Sequence, residues 1–189
     1  MGGARRILDA AGVARALDRL ARSIAAGRTD DAGGLAVIGI RRRGVPLAER
    51  LAAAIGGLGG APLQTGALDI TLYRDDLTLV ADQPVVHRTE IPFPVDGLRV
   101  VLVDDVLYTG RTVRAAIDAL FALGRPARIE LAVLVDRGHR ELPIQADHVA
   151  ERIETQRRES VHVHLREVDG EDFVEVAGMP GQAPAQEAR

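Results

Sequence analysis

The run from Val100 to Thr112, VVLVDDVLYTGRT, limits the possible fold of this chain more than any other segment. Val100 to Val103 is continuously apolar and rich in β-branched side chains, as expected of a central parallel strand buried on both faces. Asp104 and Asp105 follow at the strand's end. A short polar turn through Tyr108, Thr109, Gly110, Arg111 and Thr112 comes next, and from Arg114 to Leu123 alanine, isoleucine, leucine and phenylalanine recur at helical spacing. In open α/β sheets ligands bind beyond the carboxyl ends of the strands. Carboxylates placed there can hold sugar hydroxyls or a Mg²⁺ complex. Turn amides, threonine hydroxyls and a helix N-terminus can hold a phosphate. A ligand with a ribose at one end and a 5′-phosphate at the other fits that layout.

Two rival readings use the same residues. An ordinary strand-to-helix turn with a capping aspartate accounts for one carboxylate and leaves the threonine-glycine turn unexplained. A Walker B strand also ends in aspartates but needs a P-loop lysine. All 24 basic side chains here are arginine, so the standard P-loop, a Schiff base and a lysine base are excluded. With no cysteine, disulfides, thiol nucleophiles and thiolate metal sites are excluded as well. A net charge of −3 confines any nucleic-acid surface to a local patch, and aromatic residues at 3% are too sparse for a base-stacking platform. No apolar run reaches spanning length and no signal-peptide core is visible, so the expectation is a cytoplasmic protein without a membrane partner.

The rest of the chain extends the α/β pattern. Asp9 can cap a helix to about Ala26 whose apolar face is Val13, Leu17, Leu20 and Ile24. Leu35 to Ile40 reads as a buried strand, Arg41-Arg42-Arg43-Gly44 as the next turn, and Pro46 suits the first turn of a helix to about Ile55. Gly56 to Gly60 is a break. Ala67 to Tyr73 alternates as a strand. Residues 74 to 95 form a long charged loop, Arg128 to Val135 another strand, and Asp136 to Pro143 a charged turn. Short alternating strands are expected near Val161 to Leu165 and Phe173 to Val176, and the last dozen residues as a frayed tail. Strands alternating with helices predict a parallel sheet covered on both faces. The turns at 41–44, 104–112 and 136–140 then converge on one cleft. His162 and His164 alternate on a strand without a nearby third ligand, which argues against a metal pair. His87 and His148 read as ordinary surface histidines.

The 100–112 segment resembles the phosphoribosyl-pyrophosphate (PRPP) signature of type I phosphoribosyltransferases. From about Ile7 to Val176 the chain resembles the PyrR family of pyrimidine operon regulators, which also act as uracil phosphoribosyltransferases. Three blocks carry the likeness: Asp69 to Leu77 at the entry to a flexible loop, Val103 to Ala115 over the PRPP motif, and Leu131 to Pro143 over the base site. Tyr108 stands where purine-salvage members have an acidic residue, which points to the pyrimidine group. The resemblance implies a central, mainly parallel sheet flanked by helices in one domain over 1–176. It further implies a lid at about 73–95, a hood region at about 144–176, and a disordered tail over 177–189.

The resemblance also implies roles for individual residues. Asp104 and Asp105 hold the ribose hydroxyls of PRPP, directly or through Mg²⁺, and Tyr108, Thr109, Gly110, Arg111 and Thr112 wrap the 5′-phosphate. Arg41, Arg42, Arg43 and Gly44 form the pyrophosphate loop, where the superfamily often has a non-proline cis peptide. Arg41-Arg42 replaces the family's Lys-Thr and keeps the charge. Arg74, and Arg88 less directly, reach the leaving group. Val135, Asp136, Arg137 and Gly138 line the uracil site. The partners implied are uracil, PRPP, UMP, a leader mRNA hairpin of a pyrimidine operon and further copies of the chain in a homodimer or larger oligomer. Arg15, Arg19 and Arg22 share one helical face and, with His139 and Arg140, are the expected RNA contacts. His139 is open between a structural and an RNA-facing role. Asp18, Gln145, Glu151 and Glu154 depart from the family on that face. Three readings therefore stay open: an enzyme that also binds RNA, an enzyme that has lost RNA control, and a regulator with vestigial catalysis. The intact PRPP motif favours the first two.

Overall fold

The architecture was taken from a computed structural model that describes residues 4–27, 34–59, 63–71 and 88–178. Five parallel strands make the central sheet in the order β3 (Gln64–Leu68), β2 (Leu35–Ile40), β4 (Arg99–Leu107), β5 (Arg128–Asp136) and β6 (His148–Arg152). Side chains of β4 divide by alternation. Val101 and Val103 pack against α1 (Ala10–Ala26) and α2 (Gly44–Gly57). Val100 and Leu102 pack on the other face against Val113, Ala116 and Leu120 of α3 (Arg111–Phe121). Each such fully buried aliphatic side chain contributes roughly 1.5–3 kcal/mol, so the site rests on a well-anchored strand.

The α1 helix starts at Asp9, whose side-chain Oδ1 accepts a 2.7 Å hydrogen bond from the Gly12 amide. Val13, Leu17, Leu20 and Ile24 are buried beneath it, as their spacing predicts. A second, three-stranded antiparallel sheet joins β1 (Arg5–Leu8), β8 (Phe173–Gly178) and β7 (Glu159–His164), in that order. Between β7 and β8 lies the short α4 (Arg166–Asp169). Val163, Leu165 and Val174 bring this sheet into the α1–α2 core.

Several boundaries differ from the sequence reading. The strand read as Val100 to Val103 runs to Leu107, because β5 keeps pairing with it as far as Val106–Val135 and Leu107–Asp136. The acidic pair therefore sits within the strand. The helix read from Arg114 begins at Arg111, since Gly110, at φ 92°, supplies its left-handed entry. The strand read over Ala67 to Tyr73 lies at Gln64–Leu68, set by its register with Ala36 to Ile40. Segment 144–176 divides: β6 belongs to the central sheet, and β7 and β8 join the N-terminal strand β1. Of the expected lid only residues 88–95 are described; Ala177 and Gly178, expected in the tail, end β8, and the tail from 179 onward lies outside the described residues.

Candidate active site

The polar turn after β4 encloses a cavity of about 210 Å³ lined by Asp104 and residues 106–113. Thr109 anchors the turn. Its carbonyl accepts from the amides of Glu141 and Leu142 at 3.0 and 3.2 Å, and its hydroxyl oxygen accepts from the Arg111 amide at 3.4 Å. A Cβ at Gly110 would stand 3.3 Å from that of Ile144, so the segment after Pro143 closes over the turn. Tyr108, Thr109, Gly110, Arg111 and Thr112 thus surround one space at the N-terminus of α3, where backbone N–H groups and the helix dipole favour an anion.

A larger cavity of about 420 Å³ adjoins it and shares Asp104, Val106 and Thr112. Its other walls are Arg41, Arg42, Arg43, Asp69, Ile70, Thr71 and Asp105. The arginine loop and the acidic pair, more than 60 positions apart in sequence, therefore line one cavity. Two glycines make the approach possible. A Cβ at Gly39 would lie 2.4 Å from the Gly44 carbonyl oxygen, and one at Gly44 would lie 2.3 Å from that of Val103. The Arg41–Arg42 peptide bond is cis. The Arg41 amide donates to Leu68 at 3.0 Å. Arg43 donates to Asp169 of α4 through Nε and Nη2, at 3.1 and 2.8 Å. Asp69, Ile70 and Thr71 were not singled out as site residues in the sequence. Asp69 Oδ1 accepts from the Thr71 amide at 2.8 Å and from its hydroxyl at 2.5 Å. The signal that could have found them is the polar pair directly after a parallel strand.

Asp104 is buried, and burial pushes its carboxyl well up, with the neighbouring Asp105 charge adding to the effect. Burial also raises Asp105, against hydrogen bonds from Asp104 and the Val106 amide and the positive charge of Arg43. Two carboxylates held this way favour a nearby cation or hydroxyl donors. Among the described residues no cluster of three or more acidic or histidine ligands forms a metal cage. That donor set suits Mg²⁺, which is commonly held by one or two carboxylates and completed by substrate oxygens and water.

The expected base-site residues stand beside the two cavities rather than in their walls. None of Val135, Asp136, Arg137 and Gly138 lines either cavity. Val135 is fully buried in the core, so its side chain faces no ligand. The Asp136 carboxyl is pushed up by burial but brought below its ordinary range by Arg140 and the Gly138 amide. Arg137 is 6% exposed, its guanidinium carbon lies over the Tyr108 ring, 4.1 Å from the centroid, and its Nη2 donates to the Gln156 carbonyl at 3.1 Å. That stack places residue 137 beside the phosphate turn without opening it to either cavity.

Most of the residues expected to contact RNA make contacts within the chain. Arg140 points into the fold, donating to the carbonyls of Tyr108 at 2.8 Å, Gly138 at 3.1 Å and Ile144 at 3.0 Å, and pairing with Asp136 at 2.6 Å. It staples the base-site turn to the phosphate turn. His139 takes φ 61°, and its Nε2 lies 2.6 Å from the Thr155 carbonyl oxygen. These contacts favour the structural role for His139 that the sequence left open. Arg19 pairs with Glu151, and Arg22 with Asp18 at 2.9 Å. Arg15 is exposed and has no ion pair among the described residues. Arg88 is exposed, and Arg74 lies outside the described residues.

His148, read as a surface histidine, is 11% exposed and joins a buried polar cluster. Its Nδ1 lies 2.8 Å from the Ser23 hydroxyl and its Nε2 3.0 Å from Glu130. Glu130 in turn accepts from Arg99 at 2.7 and 3.1 Å. This cluster stands at the amino end of the sheet, away from the cavities. Among the described residues, no helix is long and apolar enough to cross a membrane.

A parallel sheet with an arginine loop, an acidic pair and an anion-binding turn at its carboxyl edge is the arrangement of a phosphoribosyltransferase. Residues 3–165 match the phosphoribosyl transferase domain. Solved structures share the fold: the hypoxanthine phosphoribosyltransferase of Trypanosoma cruzi in complex with IMP superposes with a TM-score of 0.70 at 18% identity, over 93% of this chain and 94% of that one. The Staphylococcus aureus hypoxanthine phosphoribosyltransferase gives 0.69 at 16%, over 93% of each. Much closer in sequence are the bifunctional protein PyrR of Pelotomaculum thermopropionicum, 60% identical over 89% of this chain and 93% of that protein, and that of Thermus thermophilus, 55% identical over 90% and 93%. The chain belongs to the phosphoribosyltransferase family and, within it, to the bifunctional PyrR proteins.

Proposed function

We propose that the protein is a uracil phosphoribosyltransferase, converting uracil and PRPP to UMP and pyrophosphate, and that it regulates pyrimidine biosynthesis genes by binding leader mRNA when UMP is bound. The observation that carries the enzymatic half is the continuity of the two cavities. An anion-binding turn, a buried acidic pair and a cationic loop follow one another along about the path that a 5′-phosphate, a ribose and a pyrophosphate would occupy.

Displacement of pyrophosphate at C1 by a uracil nitrogen passes through an oxocarbenium-like state, so holding both partners in line matters more than a strong base. Thr109, Gly110, Arg111 and Thr112 bind the 5′-phosphate, with the α3 N-terminus behind them. Asp104 and Asp105 orient the ribose hydroxyls and would hold Mg²⁺ with PRPP, which supplies positive charge against the leaving group. Arg41, Arg42 and Arg43 screen the departing pyrophosphate. Uracil lies towards Tyr108, outside the two cavities, where backbone groups of the 135–138 turn are the candidates to match its carbonyls and N–H groups. Arg74, which lies outside the described residues, is assigned to the leaving group by the family resemblance alone.

The test is a steady-state assay with uracil, PRPP and Mg²⁺. Wild type should release pyrophosphate, and Asp104→Asn with Asp105→Asn should lose activity by about two orders of magnitude or more, since the ribose and cation contacts go together. Unchanged turnover in that double variant would remove the assignment of the acidic pair. A second reading, an enzyme that has lost RNA control, is favoured by the Arg19–Glu151 and Arg22–Asp18 pairs, which neutralise two of the three stripe arginines within the chain. Titration of a pyrimidine leader hairpin with and without UMP separates the two.

A further inference from the structure

The hood contributes a carboxylate to the arginine loop. Arg43 lines the larger cavity, yet the Nε–Nη2 edge of its guanidinium is taken by both oxygens of Asp169, at 3.1 and 2.8 Å. A guanidinium is a rigid planar fork, so occupying one edge fixes the direction of the opposite edge. That opposite edge has no partner among the described residues. Arg43 is also near enough to the acidic pair for its charge to pull Asp105 down.

Asp169 is itself held. Its Oδ2 accepts from the Leu165 amide at 3.0 Å, and its own amide donates to the Leu165 carbonyl at 2.6 Å. The same short segment grips α2 at a second point. Arg50, two turns along that helix, donates to Glu167 at 2.8 Å and to Asp172 at 2.8 and 3.0 Å. Asp172 additionally accepts from the Arg166 amide at 2.8 Å. Residues 165–172 thus form a stiff clamp on α2, and Asp169 is the one carboxylate of the clamp that reaches the substrate cavity's wall. Held by Arg43, the Asp169 carboxyl lies at about 2 and is ionised throughout the working range.

We propose that Asp169 is a positioning residue for the pyrophosphate end of the substrate: it fixes the Arg43 guanidinium so that its free edge faces the departing anion. The proposal rests on the phosphoribosyl-transfer reading and names a residue that neither the sequence motifs nor the cavity lining identifies. A surface ion pair of this exposure contributes little to stability; its effect is on where a charge is aimed. In Asp169→Asn the amide nitrogen cannot accept, one of the two hydrogen bonds is lost, and the single remaining bond no longer fixes the direction of the Arg43 guanidinium.

The test compares Asp169→Asn, Arg43→Gln and the double variant. Binding of Mg²⁺-pyrophosphate is read by calorimetry, and KM for PRPP and for uracil by initial rates. Asp169→Asn should weaken pyrophosphate binding and raise KM for PRPP about tenfold, the effect of losing a charge-assisted contact. KM for uracil should change by less than about twofold. The double variant should be no weaker than Arg43→Gln alone, because Asp169 acts only through Arg43. Thermal melting of Asp169→Asn should stay within about 4 °C of wild type. Losses that multiply in the double variant, equal increases in both KM values, or unchanged pyrophosphate binding in Asp169→Asn would each overturn the proposal. Calorimetry needs no turnover, so the outcome stands apart from whether uracil is the substrate.

Discussion

Replacing Gly44 by alanine adds one methyl group to the tightest point of the site. That methyl carbon would lie 2.3 Å from the Val103 carbonyl oxygen, whereas ordinary contact begins at 3.4 Å. Its neighbour is backbone and cannot rotate away, so the arginine loop and the strand that carries Asp104 must separate by roughly 1 Å. A displacement of that size between reacting partners costs on the order of 100-fold in rate. Overpacking costs about 1–3 kcal/mol, partly offset by the roughly 0.5–1 kcal/mol that alanine gains over glycine in a helix. The net loss should lower the melting temperature by about 2–8 °C. Gly56 is an internal control, since it lies in the same helix and a Cβ there meets nothing within 4 Å. Gly56→Ala should raise the melting temperature by about 1–4 °C and leave activity unchanged. The assay is kcat/KM for PRPP beside thermal melting. If Gly44→Ala retained activity within threefold of wild type, the argument that this contact sets the geometry of the cavity would be refuted.

Other outcomes follow from features at some distance from that contact. Glu130→Gln removes the charge that balances Arg99 at a site where both are 5% exposed or less, and urea denaturation should show a loss of about 2–4 kcal/mol at neutral pH. Burial alone would raise the Glu130 carboxyl, but Arg99 and His148 bring it below its ordinary range. Its contribution is therefore present above that range and lost as pH falls through the lowered value, so the gap between variant and wild type should close in acid; a constant gap would contradict the assignment. Glu151→Lys frees Arg19 and reverses a charge, and should tighten leader-RNA binding and steepen its salt dependence by about one to two units of slope, read from filter binding across a salt series, with uracil turnover unaltered. Hypoxanthine and guanine should be poor substrates because Tyr108, packed under Arg137, offers no carboxylate to a purine ring; purine turnover equal to that of uracil would contradict the pyrimidine assignment.

The phosphate turn and acidic pair were legible because their chemistry and their spacing coincide in thirteen consecutive residues. The arginine loop was legible because it follows a strand of the same sheet. What the sequence concealed depends on pairing and burial. His148 to Arg152 has no run of β-branched residues, and it is a strand because β5 presents a free edge to Ala132–His148 and Asp136–Arg152. Arg140 and Arg137 look like surface charges in any one-dimensional reading, yet backbone carbonyls from two turns and an aromatic face draw both inward. The stripe Arg15, Arg19 and Arg22 has the right helical spacing, but its neighbours at Asp18 and Glu151 are the acceptors. Glu151 is 132 positions away from Arg19, a contact that periodicity cannot report. The Asp169–Arg43 pair was hidden for the same reason.

The three-stranded sheet joins the two ends of the described chain, with Arg5 opposite Val176 and Leu8 opposite Val174. On the ribosome, β1 emerges before the central sheet and waits until β8 has been made before its partner exists. Every strand of the central sheet is complete once Arg152 has been made. A nascent chain at that stage can already assemble the phosphate turn, the acidic pair and the arginine loop, while Asp169 has yet to be synthesised. Loop closure over such a span is slow relative to local pairing. Translation therefore delivers the anion-binding half of the molecule before the clamp that aims Arg43, and residues 165–172 convert a phosphate cradle into an oriented site.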